Sequence, residues 1–140
     1  MRGIRMRRVL AGGLVAGVVI NVFEWLGSLL YMEEMLAALE VHDLSFETTP
    51  GMVVVSLFMG FVAGFVAVWF YAACRPRFGP GPGSAAKVAV FLFLGGYLLA
   101  IVGYSFLGIF PTRLLTIWAG VALVEMVVAT IAGAWVYREP

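Results

Sequence analysis

The chain has 140 residues but a single cysteine, Cys74, and a single histidine, His42. One cysteine cannot close an internal disulfide, form a CxxC redox pair or build a thiolate metal cluster, so Cys74 is expected to be a small apolar packing residue. One histidine excludes a haem held between two histidines of the same chain, and also the Glu-x-x-His di-iron arrangement. A nucleophile elbow, a catalytic Ser/His/Asp set and a Cys/His pair are missing as well, which argues against classical hydrolysis. Charge is equally scarce. Charged residues make up 12% of the chain, against about a quarter in a soluble domain. The formal net charge is only +1, and no nucleic acid partner is expected from so few basic groups.

What is abundant is apolar, at 63% of the chain. A bilayer core about 30 Å thick takes roughly 20 apolar residues per helix. Four runs of that length occur, at about 9–31, 52–74, 86–110 and 114–137. The predicted fold is all-α: one transmembrane domain over 1–140, an integral membrane four-helix antiparallel bundle. The opening MRGIRMRRVLAGGLVAGVVI has the basic start and apolar core of a signal peptide. Its apolar run continues too far and lacks a clean A-x-A site, so it is read as an uncleaved first helix.

Charge sets the expected orientation, because basic residues stay on the cytoplasmic side. Arg2, Arg5, Arg7 and Arg8 precede helix 1, Arg75, Arg77 and Lys87 lie between helices 2 and 3, and Arg138 follows helix 4. The opposite side holds Arg113 against Glu33, Glu34, Glu40, Asp43 and Glu47. Both termini are therefore predicted to be cytoplasmic and the acidic loop external.

Along the chain, YMEEMLAALEVHDL predicts an amphipathic extension of helix 1 to 41, able to lie on the outer membrane surface. Thr49 and Pro50 form a cap and first-turn pair for helix 2. The segment 75–85 alternates Pro76, Pro80 and Pro82 with Gly79, Gly81 and Gly83, so an irregular cytoplasmic loop is expected there. It lacks G-K-[ST] and G-x-G-x-x-G, so it is read as a connector and not a phosphate loop. Thr112 is expected to cap helix 4, with Arg113 at the lipid headgroups or paired with an external acid such as Glu47. Helices 2 and 4 end alike, in AVWFYAACRPR and GAWVYREP. That pattern predicts an interfacial belt in which Trp69, Tyr71, Trp135 and Tyr137 place their rings among the headgroups.

On the segments RPRFGPGP and FPTR the sequence resembles a group of uncharacterised bacterial four-span membrane proteins. The resemblance implies topology and a bacterial inner (cytoplasmic) membrane location, and it implies no activity.

Two carboxyls interrupt the apolar runs. Gly13, Gly17, Asn21, Glu24, Ser28 and Tyr31 fall at helical spacings of three or four, so they form one small and polar stripe that faces protein. Trp118, Ala122, Glu125, Ala129 and Ala132 repeat the pattern on helix 4. A charge near the bilayer centre costs about 2.5–3.5 kcal/mol on insertion scales, which favours the bundle interior, protonation or a partner. Rise along the helices puts Glu24 in the outer half and Glu125 near the middle, roughly one or two turns apart in depth. Tyr97 and Tyr104 are the expected hydrogen-bond donors to them. The expected intramembrane network or ion site is thus Asn21, Glu24, Ser28, Tyr97, Tyr104 and Glu125. Helix packing is assigned to Gly13, Gly17, Gly60, Gly64, Gly96, Ala100, Gly103, Ala122 and Ala129, because small residues four apart let backbones approach.

No cofactor and no metal site is expected, since the spacing of His42, Asp43, Glu40 and Glu47 is unspecific. The function expected first is non-enzymatic: a self-associating scaffold or accessory subunit of a larger membrane complex, with the lipid bilayer and further copies as partners. The competing expectation is an oligomeric proton- or cation-coupled carrier or channel that uses Glu24 and Glu125. A third is a lipid or quinone pocket between Trp25, Trp118 and the tyrosines.

Overall fold

The computed structural model describes residues 4–137. Every element among them is helical, and four helices are long and apolar enough to cross a membrane. The first, α1, runs unbroken from Met6–Glu40 over 35 residues, about 52 Å at 1.5 Å per residue. The expected spanning run and its amphipathic extension are therefore one helix, longer than a bilayer core. It ends where Asp43 takes a positive φ of 54°. The amide of Leu44 then bonds the Leu39 carbonyl, and that of Asp43 the Glu40 carbonyl, both at 3.0 Å. These are the paired bonds of a Schellman stop, which satisfy carbonyls that the ended helix would leave bare.

Helix α2 spans Pro50–Phe78. Thr49 Oγ1 accepts from the amide of Met52 at 3.3 Å, and Pro50 sits in the first turn, where its missing N–H costs nothing. Thr49→Ala is expected to lower stability by about 1 kcal/mol, the usual value of an N-cap, read as a lower unfolding midpoint in detergent micelles. An unchanged midpoint would mean that water replaces the cap at no cost.

The irregular loop expected over 75–85 is far shorter. Helix α2 continues through Pro76 to Phe78, and α3 begins at Pro82, leaving Gly79 to Gly81 as the connection. Pro76 lies inside the last turn of α2, where it removes the bond of its own N–H and crowds the Ala72 carbonyl, whereas Pro82 at the first helical position loses nothing. Gly79 and Gly81 supply φ values of 80° and 121°, open to glycine alone at little cost. The turn is fastened by the Gly81 amide on the Tyr71 hydroxyl, 3.1 Å, and by the Ser84 hydroxyl on the Phe78 carbonyl, 2.8 Å.

The third span, Pro82–Ser105, begins and ends before the expected 86–110. It consists of α3 (Pro82–Leu92), a π-helical stretch (Phe93–Leu98) and α4 (Leu99–Ser105). The last span, α5, covers Thr112–Val136. Pro111 occupies its N-cap position without a side-chain bond. Thr112 is already helical and its carbonyl accepts from the Thr116 hydroxyl at 2.8 Å, so the expected Thr112 cap is corrected.

Helix α1 lies between α2 and α5, and α3 packs on α5 and α2. Backbone contact makes the first two pairings. A Cβ added to Gly64 would stand 2.7 Å from the Gly13 carbonyl oxygen and 2.8 Å from Gly17 Cα, and one on Gly12 would stand 2.6 Å from the Gly133 oxygen. In lipid, where apolar surface has no reason to leave its solvent, such close approach is what holds helices together. Ala129 and Ala122 are buried in the same core, with Ile20, Val68 and Leu114.

Gly96, Ala100 and Gly103 behave differently. A Cβ on either glycine meets nothing within 4 Å, Ala100 is exposed, and α4 buries no residue. The packing role assigned to these three is not met inside the chain. The aromatic belt is corrected too. Tyr71 and Tyr137 are each only 2% exposed and meet edge to face at 6.2 Å, whereas Trp69 and Trp135 are exposed.

Candidate functional site

Glu125 lies twelve residues from both Arg113 and Tyr137, about 18 Å along α5 in either direction, so it sits at mid-span. It is fully buried, with 0% of its surface exposed. The antiparallel register of α1 on α5 brings Glu24 to the same level. Gly27 faces Val121, and the Tyr31 ring meets Trp118 edge to face at 5.8 Å. One turn further toward the middle, the same register sets Glu24 level with Glu125. The separation in depth expected from rise alone closes in the packed helices.

One hydroxyl serves the pair directly. Tyr97, in the π-helical stretch, donates to Glu125 Oε1 at 3.4 Å. Tyr31 stands two turns along α1 from Glu24. Its ring reaches back because Gly27 has no side chain: a Cβ there would meet Tyr31 Cε1 and Val121 Cγ1, each at 3.2 Å. The second oxygen of Glu125, Oε2, is buried and receives no hydrogen bond. Its neighbour is another carboxyl, which donates only when it carries a proton.

The remaining members of the expected network are engaged elsewhere. Asn21 Nδ2 donates to the Gly17 carbonyl at 2.9 Å and, across the helix pair, to the Leu57 carbonyl at 3.2 Å. It thereby pins α1 to α2. Ser28 donates to its own helix at Trp25 O, 2.6 Å. Tyr104 packs edge to face on Phe110 and Trp118, each ring centroid 6.2 Å away, and makes no hydrogen bond to either glutamate. Trp118 in turn stands 5.0 Å from Phe110, and its Nε1 is buried without a partner. Aromatic rings thus roof the carboxyl pair on the side toward Glu34.

No protein-family model matches the chain, and neither a curated protein nor a solved structure matches it.

Glu24 has a second face. It lines a cleft of about 390 Å³ between α1 and the start of α2, together with Trp25, Tyr31, Phe46, Thr48 and Ser56. One carboxyl of the pair is therefore reached from the cleft, and the other is sealed behind it. The expected Trp25–Trp118 pocket is corrected by the same geometry: Trp25 lines this cleft, while Trp118 belongs to the aromatic roof on the other side of α1.

At the Glu34 end, Arg113 donates to Glu34 Oε2 at 2.5 Å instead of pairing with Glu47. Their side chains are 76% and 26% exposed, so the pair contributes less than about 1 kcal/mol. His42 is exposed and its Nδ1 lies 3.0 Å from the Ala38 carbonyl at the end of α1. Among the described residues no group of three or more His, Cys, Asp or Glu could hold a metal ion.

Tyr31 and Trp118 are the site residues that the sequence reasoning left out of its network, although both stood on its stripes. Each is seven residues from a glutamate on its own helix, Tyr31 from Glu24 and Trp118 from Glu125, which is two helical turns. Thr130, buried with an unpartnered hydroxyl, lies beyond Glu125 on α5 and carried no signal at all.

Proposed function

We propose that this chain is a non-enzymatic multi-pass protein of a bacterial inner membrane, a carrier for a small solute that holds a coupling proton or cation between Glu24 and Glu125. Both termini are cytoplasmic in this reading, because the basic residues gather at that end. The cleft then opens toward the external side, and the chain works as an antiparallel four-helix bundle assembled into a homo-oligomer.

One observation supports it above the others. The Gly27–Val121 and Tyr31–Trp118 contacts set Glu24 level with the buried Glu125 at mid-span, and the sequence places no Lys or Arg between Arg8 and Arg75, between Lys87 and Arg113, or between Arg113 and Arg138. Facing carboxyls that share a site cannot both stay charged without a cation or a proton between them. Intramembrane ionisable groups of this sort are a functional hypothesis by default.

The test is proton flux in liposomes reconstituted with the full chain, under an imposed membrane potential and with a trapped pH dye. Flux above protein-free liposomes is expected, and Glu24→Gln should reduce it at least about tenfold, an effect of about 1.4 kcal/mol. Equal flux in the variant and the native chain would sink the coupling role of the pair.

A scaffold or accessory-subunit role is a second reading, favoured by one specific observation: the uncovered small-residue face of Gly96, Ala100 and Gly103. Such a face fits a neighbouring helix. Native mass spectrometry from the membrane distinguishes the two, since a fixed ratio to a larger partner supports the subunit and a partner-free homo-oligomer supports the carrier.

A further inference from the structure

We propose that the cleft between α1 and α2 binds an organic ammonium ion, with its charge on Glu24 and its apolar body among Trp25, Tyr31 and Phe46. The proposal rests on the carboxyl-pair reading and adds the class of ligand.

The lining decides the class. A carboxyl group, three aromatic rings and the short hydroxyl side chains of Thr48 and Ser56 bound a mostly apolar space of about 390 Å³. That is the lower range of small-molecule sites, concave and apolar with a few convergent polar groups. A bare metal cation would need six or more oxygen ligands to replace its water, and no cluster of that kind exists among the described residues. An ammonium carrying alkyl or aryl groups asks for much less. One carboxylate balances its charge, and aromatic faces attract the diffuse positive charge of its substituents.

The approach route fits the same charge. Glu33, Glu40, Asp43 and Glu47 are exposed around the Glu34 end, and the single basic residue there, Arg113, is bonded to Glu34. A surface of one sign raises the local concentration of ions of the other. Phe46 and Thr48, from the connection that carries Asp43 and Glu47, form the outer lip of the cleft. Behind Glu24 stands Glu125, so an arriving ammonium competes for the Glu24 carboxyl with whatever bridges the two acids. That competition is how binding of one cation would release another.

The experiment is calorimetric titration of benzyltrimethylammonium into the detergent-purified full chain, beside its uncharged carbon isostere neopentylbenzene. The charged compound should bind and the neutral one should bind at least tenfold more weakly. Glu24→Gln should weaken ammonium binding at least tenfold. Ser56→Trp, on the exposed α2 wall, should fill the cleft and abolish binding. Equal binding of the two compounds would overturn the proposal, as would unchanged binding in Ser56→Trp. Absence of ammonium binding beside Glu24-dependent proton flux would overturn the ligand assignment and leave the carrier reading standing. Glu24-dependent ammonium binding without proton flux would support the site and remove the coupling.

Discussion

Gly64→Val is expected to lower the stability of the folded chain by about 3 kcal/mol or more, the upper end of what overpacking costs. The reason is that the clash falls on backbone. The first added carbon would lie 2.7 Å from the Gly13 carbonyl and 2.8 Å from Gly17 Cα, and neither atom can rotate away. Relief requires α1 and α2 to separate by more than an ångström along their whole contact. That separation also stretches the Asn21 bond to the Leu57 carbonyl, 3.2 Å across the pair. Gly103→Val supplies the control, because a Cβ there meets nothing within 4 Å, and its effect should stay within about 0.5 kcal/mol. Unfolding of both variants in bicelles, compared with the native chain, makes the measurement. Equal stability of Gly64→Val and Gly103→Val would mean that α1 and α2 are not in backbone contact.

Glu125→Gln is expected to do the opposite to stability and the worst to function. If Glu125 only fixed helix register, removing a buried acceptor from a satisfied network would cost about 1–3 kcal/mol. It is not satisfied: Oε2 receives no bond, and its neighbour Glu24 is another acid. A glutamine amide brings two donors to that spot, so it can bond Glu24 while its carbonyl keeps the Tyr97 hydroxyl. The variant should therefore be as stable as the native chain or more so by about 1 kcal/mol, the net worth of one hydrogen bond. Proton flux should fall at least about 100-fold, close to 2.7 kcal/mol, because an amide neither takes nor releases a proton. Gain of stability with loss of activity is the mark of a strained working site. A variant that is destabilised yet still conducts would assign Glu125 to register alone.

The two predictions separate what each part of the chain does. Glycine contacts along Gly12, Gly13, Gly17, Gly60 and Gly64 hold α1 against α2 and α5, and the carboxyl pair sits where those contacts bring the helices level. The register follows from the close approach of the backbones. Because α1 can slide on neither neighbour without lifting a side chain over a backbone, Glu24 is kept opposite Glu125.

Much of this was legible in the sequence. Apolar length sets the number of spans, since a bilayer core admits only helices of about 20 residues, and the four runs correspond to the four spans. The buried face at Gly13 and Gly17 was readable from helical period alone, whereas Glu24, expected on the same protein-facing stripe, is exposed. Thr49 and Pro50 were readable as a helix start, because their chemistry is local. Local reasoning failed where a neighbour intervened. The Pro/Gly segment reads as a long loop, yet Tyr71 and Ser84 fasten it into a turn of only Gly79 to Gly81. Tyr97 and Tyr104 read as equivalent, seven residues apart on one helix. The π-helical stretch carries Tyr97 to Glu125, while Phe110 and Trp118 hold Tyr104.

By itself, then, the sequence determined that this chain has four spans, that two acids lie inside them and that basic residues gather at one end. These depend on composition and on the 3.6-residue period, which any bilayer reads in the same way. Only the tertiary structure decided that the two acids lie level on adjacent helices, that Asn21 and Ser28 serve the helices instead of the acids, and that Glu24 opens onto a cleft. Those facts depend on the register between helices about 30 to 100 residues apart in the chain, set by backbone contacts at glycines whose partners no local pattern can name.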